Sequence, residues 1–425
     1  MGNYRTQEEP NILRTSFPLF SASFVAQGIN FLLLFLLPHL FPVEEISMFF
    51  VFSALGNILI PLVSLQSQNA VVLSHSSAIA LQRLGVSLLI SAALSFLVFL
   101  LALGLKMTPL ETILDNFSGV LPLVAVYCLL GSSLIGLEHY FTFRKWFKVM
   151  GLIKLLKSVS IFVLTLLAGF LNLGSSSLIL AFLAGHLLVV LFIWIRGFVP
   201  LNQLRIRRHN FEKFIIQFRE LLAFETTFSG FSQSISHLPV ILLSIFYGEK
   251  VVAFYGIAHR VFATPLNIWS QSVTQVFYKR ISDYYNATAG FYEFAKSAFR
   301  KVFWVALAYG LVSGVLAPLM LQWIMGEDWA SAGIIARIII PLLVIQNAAM
   351  PLTAIFTVLR TQRLMLPYFA VGFFFRILLG FIVPYYMFGA TYITVLFMFT
   401  LTGIIYYIFF IRKLLQDVNS YEAGL

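Results

Sequence analysis

FYGIAHRVFATPLNIWSQSVTQVFYKRIS (254–282) is the stretch on which the reading of this chain turns. It starts as an apolar segment, yet carries His259, Arg260, Pro265, Ser270, Gln271, Ser272, Thr274 and Gln275 before it reaches Lys279 and Arg280. A bilayer crossing needs about 20 mostly apolar residues. A charged side chain inside one is costly and has to meet a partner, water or a ligand. The segment is therefore either no crossing at all or a crossing with a polar face that serves a purpose.

Composition settles that it sits among crossings. Of 425 residues, 60% are hydrophobic and 11% charged, against roughly half and a quarter for soluble chains. Aromatic residues make up 16%, with 45 Phe, as expected of lipid-facing surfaces and interfacial belts. The lone cysteine, Cys128, excludes an intrachain disulfide and any cysteine-based metal cluster, and its apolar setting reads as a buried inert thiol. The start of the chain lacks a cleavable signal pattern, and its loose match to a myristoylation motif reads as chance. No HExxH, P-loop or GxGxxG motif appears, so the expectation is a transporter, not an enzyme, with no bound cofactor or metal.

Hydropathy places twelve spans, the first near 15–37 and the last near 390–411. With both termini cytoplasmic, 21 of the 28 Lys and Arg residues fall on the inner side and two, Lys106 and Lys250, outside. That asymmetry fixes the orientation, and it also removes nucleic acid as the reason for the net charge of +11. Outer loops are short. The basic segment 199–218 divides an N-lobe (1–198, spans one to six) from a C-lobe (219–411, spans seven to twelve), with a cytoplasmic tail at 412–425. Phe211, Phe214, Ile215 and Phe218 have helical spacing, which fits either a helix on the inner leaflet or a solvated linker.

The lobes repeat. PLVSLQSQNAVVL (61–73) aligns without gaps on PLNIWSQSVTQVF (265–277), and Gln27 and Ile29 correspond to Gln233 and Ile235. An even number of spans per half gives parallel repeats, an arrangement found in secondary transporters that handle substrate between halves. The fold class expected is thus all-α and polytopic, about twelve transmembrane helices in two pseudo-symmetric six-helix lobes. Pro61 and Pro265 occupy equivalent places and are hinge candidates, or else simple packing kinks.

Five basic residues lie within spans: Lys154, Lys157, Arg260, Arg337 and Arg376. Arg260 and Arg376 lie near mid-depth, while Arg337 is close enough to the outer end to reach headgroups. Carboxylates within spans are limited to Glu138 and Glu225, and His186 and His237 add titratable groups. Deep cations suit an anionic cargo, unless Arg260 or Arg376 serves structure by pairing with carbonyls or a carboxylate. Glu225, Glu138, His186 and His237 are the candidates for H⁺ or Na⁺ coupling, Glu225 first, although it could equally pair with a basic residue near the inner face.

At these residues the chain resembles a known family. YGIAHRVFATPLNIWSQSVTQVFYKRIS (255–282) resembles the eighth-span signature of the O-antigen and exopolysaccharide-unit flippases of the multidrug/oligosaccharidyl-lipid/polysaccharide superfamily. HYFTFRKWFKVMGLIKLLKSV (139–159) is similar to their fourth-to-fifth connection. The segment APLMLQWIMGEDWASAGIIARIIIPLLVIQNAAMPLTAIFTVLRTQR (317–363) is similar to their ninth and tenth spans. One block departs: Gln66 and Gln68 stand where many relatives carry a charged pair. The resemblance implies alternating access between two lobes in the bacterial inner membrane. It implies an undecaprenyl-diphosphate-linked oligosaccharide as cargo, for O-antigen, lipopolysaccharide or exopolysaccharide synthesis. Membrane lipids, a polysaccharide polymerase and a chain-length regulator are the implied partners. Substrate contacts would come from Arg260, Arg376, Gln271, Gln275, Ser270, Trp269, Tyr255, Gln27, Gln233 and Lys154. A drug exporter of the same superfamily would share the fold but should carry deep acidic residues, and a membrane polymerase or ligase should carry large basic outer loops.

Overall fold

The computed structural model describes residues 12–105, 119–174, 176–200, 208–287, 291–358, 363 and 365–423. The longest loop expected on the outer side, residues 201–207 of the basic segment, Arg360 and the side chain of Gln275 lie outside the described residues. Helix dominates, and no strand occurs among the described residues. In chain order the helices are α1 (Ile12–Leu40), α2 (Val43–Ser64), α3 (Asn69–Val72), α4 (Ser77–Leu105), α5 (Leu121–Phe143), α6 (Phe147–Phe170), α7 (Ser177–Ile195) and α8 (Arg208–Tyr247). They continue with α9 (Glu249–Ala287), α10 (Phe291–Met325), α11 (Ala330–Ala349), α12 (Ala354–Val358), α13 (Met365–Ile377), α14 (Val383–Phe388) and α15 (Tyr392–Ala423).

Among the described residues, eleven helical stretches are long and apolar enough to cross a bilayer. The stretch that misses the threshold is α9, which contains the segment quoted at the outset. At 39 residues it has length to spare, and its polar residues alone bring its hydropathy down. The twelfth expected crossing is thus a helix, as read, but not an apolar one.

The chain forms two compact units, Met1–Thr226 and Thr227–Leu425. In the first, α1 runs parallel to α6. A Cβ on Gly151 would lie 3.0 Å from the Ala22 Cβ and 3.0 Å from the Pro18 carbonyl oxygen, so glycine sets how closely these backbones approach. Further along, Asn30 donates to Ser158 Oγ at 3.1 Å. The buried core of this unit joins Leu81, Leu84, Leu137, Phe141, Ile153 and Ile193. Phe214 and Phe218, at the start of α8, pack against Val86 and Ile90 of α4, and the Arg83 guanidinium lies 4.7 Å over the Phe218 ring. Residues 208–218, expected to lie on the leaflet or in solvent, are therefore helical and bury their apolar face on protein. Their spacing was right for a helix; what covers it is α4.

In the second unit, prolines inside helices set the cross-links. A proline supplies no N–H and crowds the carbonyl four residues earlier, leaving backbone oxygens without a helical donor. In a membrane, such groups have to be satisfied by neighbours. Next to the Val261 carbonyl, the one that Pro265 frees, the Phe262 carbonyl accepts from Tyr309 Oη of α10 at 3.1 Å. Four residues before Pro318, the Gly314 carbonyl accepts from Arg337 Nε at 3.1 Å. Four residues before Pro351, the Asn347 carbonyl accepts from Ser270 Oγ at 2.7 Å. Arg337, expected to reach headgroups, thus bonds backbone of a neighbouring helix. The Gly-Glu-Asp-Trp turn is built on Gly326 at φ +98°, and it delivers Trp329 edge-on to Phe254 of α9 at 5.2 Å.

Candidate functional site

Two features of the second unit carry chemistry. The first is a polar stripe along α9. At 100° per residue, Arg260, Thr264, Asn267, Gln271, Thr274 and Tyr278 fall on one face. Asn267, Gln271 and Tyr278 are exposed, and Arg260, Thr264 and Thr274 half-buried. The two threonine hydroxyls bond back to the carbonyls of Arg260 and Ser270 at 2.6 and 2.7 Å, so the exposed side chains of the stripe are those of Asn267, Gln271 and Tyr278. Such a stripe is costly against lipid and suits water or a polar ligand.

The second feature is a cavity of about 210 Å³ within the same unit, lined by parts of α8, α9, α11, α13 and α15. Arg376 lines it, only 3% exposed. Its guanidinium carbon lies 4.3 Å from the centroid of Phe399, and neither Nε nor Nη1 has a hydrogen-bond partner among the described residues. A ring face is worth about 2 kcal/mol to a desolvated cation, whereas the desolvation of a buried ion costs several. Phe399 therefore offsets part of the cost and satisfies no donor. Room for the guanidinium comes from Gly403, where a Cβ would sit 3.2 Å from Arg376 Nε and 2.6 Å from Leu342 Cδ1. Arg376 ends α13 where the helix loosens into a π turn, Leu378–Ile382, a geometry common at functional sites. Gln233, His237, Tyr255, His259, Asn267 and Gln346 share the lining, and among the described residues no carboxylate does. Tyr255 stacks on His259 with centroids 5.7 Å apart.

The remaining sequence candidates distribute as follows. Gln233, Tyr255 and Arg376 meet at the cavity, joined by His237, which was expected to serve coupling. Arg260 and Gln271 sit on the stripe. Ser270 is fully buried and its hydroxyl is spent on the Asn347 carbonyl, so it faces α11 and not a cargo. Trp269, half-buried, projects about 180° from Arg260 around α9. In the first unit, Gln27 and Lys154 lie at similar height between the Gly151 contact and the Asn30–Ser158 bond that join α1 to α6. Both are half-buried.

Of the coupling candidates, His186 is 5% exposed, with Nδ1 2.9 Å from the Phe182 carbonyl and its ring packed against those of Phe182 and Tyr127, which also touch each other. That is the environment of a packed core side chain. Glu138 and Glu225 are half-buried, on α5 and α8. Pro61 and Pro265 are not locally alike: α2 ends at Ser64, with Leu65 and Gln66 at positive φ, while α9 continues past Pro265 to Ala287. Gln68, in the departing block, is buried and donates to Gln66 Oε1 at 3.0 Å, a neutral pair. Asn267, His259, Gln346 and Gly403 were missed as site residues. The i, i+4 and i+3 spacing of Arg260, Thr264, Asn267 and Gln271 was a signal available for the first of these.

The model of a family described as polysaccharide biosynthesis protein matches residues 45–333. The chain belongs to this family. No curated protein sequence matches it. Solved structures similar to this polysaccharide biosynthesis protein include one described as the lipid II flippase MurJ in an inward closed conformation. It has a TM-score of 0.67 and 15% identity over 97% of this chain and 91% of that one. A multidrug resistance MATE family transporter of the MOP superfamily, in an inward-facing conformation, gives 0.59 and 14% over 96% and 95%. A MOP superfamily transporter from Pyrococcus furiosus, described by the reverse polarity of its binding pocket, gives 0.56 and 16% over 96% and 95%. At these identities the likeness is one of fold: the protein has the all-helical fold of MOP-superfamily transporters.

Proposed function

We propose that this polysaccharide biosynthesis protein is a flippase. It carries an undecaprenyl-diphosphate-linked oligosaccharide from the cytoplasmic to the outer leaflet of the bacterial inner membrane, with both termini cytoplasmic. The observation that carries the reading is the α9 stripe, a membrane helix whose outward face holds Arg260, Asn267 and Gln271. A guanidinium suits the diphosphate or acidic sugars through charge-assisted hydrogen bonds, and amides suit sugar hydroxyls. Membership of a family described as polysaccharide biosynthesis protein supports a glycan cargo. The two units, taken as lobes 1–198 and 219–411 around the basic segment, alternate access to it. A cationic-drug exporter, which shares the fold, would place carboxylates where this chain places Arg260 and Arg376.

The test is reconstitution. Proteoliposomes holding the purified protein and a fluorescent lipid-linked glycan should show quencher-accessible label crossing leaflets faster than protein-free vesicles do. Equal rates with and without protein, alongside export of a cationic dye, would favour the exporter.

A further inference from the structure

The cavity under Arg376 is too small for a glycan. Its volume of about 210 Å³ falls below the roughly 300–1,000 Å³ of pockets that take drug-sized molecules, and a lipid-linked oligosaccharide is larger than those. It corresponds to about seven waters at roughly 30 Å³ each.

We propose that this cavity is a site for a small inorganic anion, between chloride and phosphate in size, held by Nε and Nη1 of Arg376 and resident in the second unit. Arginine stays charged in proteins. At 3% exposure, with two donors unpartnered and no carboxylate in the lining among the described residues, the guanidinium needs an anion from outside the chain. Among the described residues, the other polar groups that line the space can all donate: the amides of Gln233, Asn267 and Gln346, the imidazoles of His237 and His259, and the Tyr255 hydroxyl, while the Ser236 hydroxyl donates to the Ser232 carbonyl at 3.3 Å. A cation is disfavoured by the same fixed charge. Gly403 keeps the Nε side open, since a methyl there would stand 3.2 Å from Nε. The inference rests on this geometry alone and not on the flippase reading. A phosphate belonging to the lipid-linked cargo has the same chemistry as a free anion, so the experiment separates the two.

The full-length protein, purified in detergent without any glycan, is melted in sodium gluconate and then in sodium chloride, bromide or phosphate at constant sodium and ionic strength. A resident anion site gives a saturable rise in melting midpoint, about 5 °C or more once the anion exceeds its Kd a hundredfold. Arg376→Gln should abolish the rise, while Lys413→Gln, at an exposed cation of the same unit, should keep it. Should Arg376→Gln fail to fold, crystals grown in bromide decide: an anomalous peak in hydrogen-bond contact with Arg376 supports the site. Equal midpoints in gluconate, chloride and phosphate overturn the proposal. So does a midpoint that rises only when a lipid diphosphate glycan is added, which would make the cavity part of the cargo path. A rise that persists in a well-folded Arg376→Gln, or a bromide crystal with ordered water alone at the guanidinium, overturns it as well. None of these outcomes depends on whether the protein flips lipid.

Discussion

Ser270→Ala separates a structural hydroxyl from a cargo-binding one. In the structure Ser270 is fully buried and its Oγ donates to the Asn347 carbonyl at 2.7 Å. The helical donor for that carbonyl would be the N–H of residue 351, and residue 351 is proline. Removing the hydroxyl therefore leaves a buried carbonyl short of a donor, at a cost of about 1–3 kcal/mol. For a unit of 150–250 residues each kcal/mol moves the melting midpoint by about 2–4 °C, so the variant should melt about 2–12 °C lower in detergent. Pro351→Ala restores an N–H at that position. Introduced into Ser270→Ala, it should recover part of the loss, and the double-mutant cycle should show coupling. An unchanged midpoint in Ser270→Ala would refute the reasoning. If glycan delivery then fell at full stability, the hydroxyl would be serving cargo, as the sequence alone had led us to expect.

Arg260→Ala should reach the membrane at normal levels yet deliver less polymer in a flippase-deficient strain. Loss of one charge-assisted contact, about 1.5–3 kcal/mol, weakens cargo engagement about 10- to 150-fold, and Arg260→Lys should retain part of it. Tyr309→Phe should lower the melting midpoint by an amount corresponding to about 0.5–1.5 kcal/mol, because it removes the hydrogen bond that ties α10 to the Phe262 carbonyl; an unaltered midpoint would mean that α9 needs no such support there. Glu45 is 7% exposed and accepts from Ser177 Oγ and the Leu178 N–H, both at 2.9 Å, at the start of α7. Glu45→Ala should cost about 0.5–2 kcal/mol, as lost helix caps do, read as a drop in thermal stability of the first unit. Cysteine at Asn172 should react with an impermeant thiol reagent from outside, and cysteine at Asn210 should not; labelling of position 210 from outside would overturn the orientation.

The membrane class and the helical fold were legible because they follow from one-dimensional quantities. Runs of about 20 apolar residues have few fates. The polar character of α9 was equally legible, since Arg260, Ser270 and Gln271 break an apolar run where each break is expensive. What the sequence could not say is which way each polar side chain points. Ser270 and Gln271 are neighbours in the chain, and the helix turns one onto α11 and leaves the other exposed. Likewise Arg337 and Arg376 read alike as in-span arginines. One bonds a carbonyl freed by Pro318, and the other is sealed over Phe399 beside a cavity. His186 and His237 read alike as titratable groups, and packing makes the first a core side chain and the second a cavity wall. Hydropathy and charge act residue by residue and can be summed along a chain. A carbonyl left bare by a proline, or a guanidinium left without a partner, is defined by what arrives from other helices, and only tertiary packing decides that.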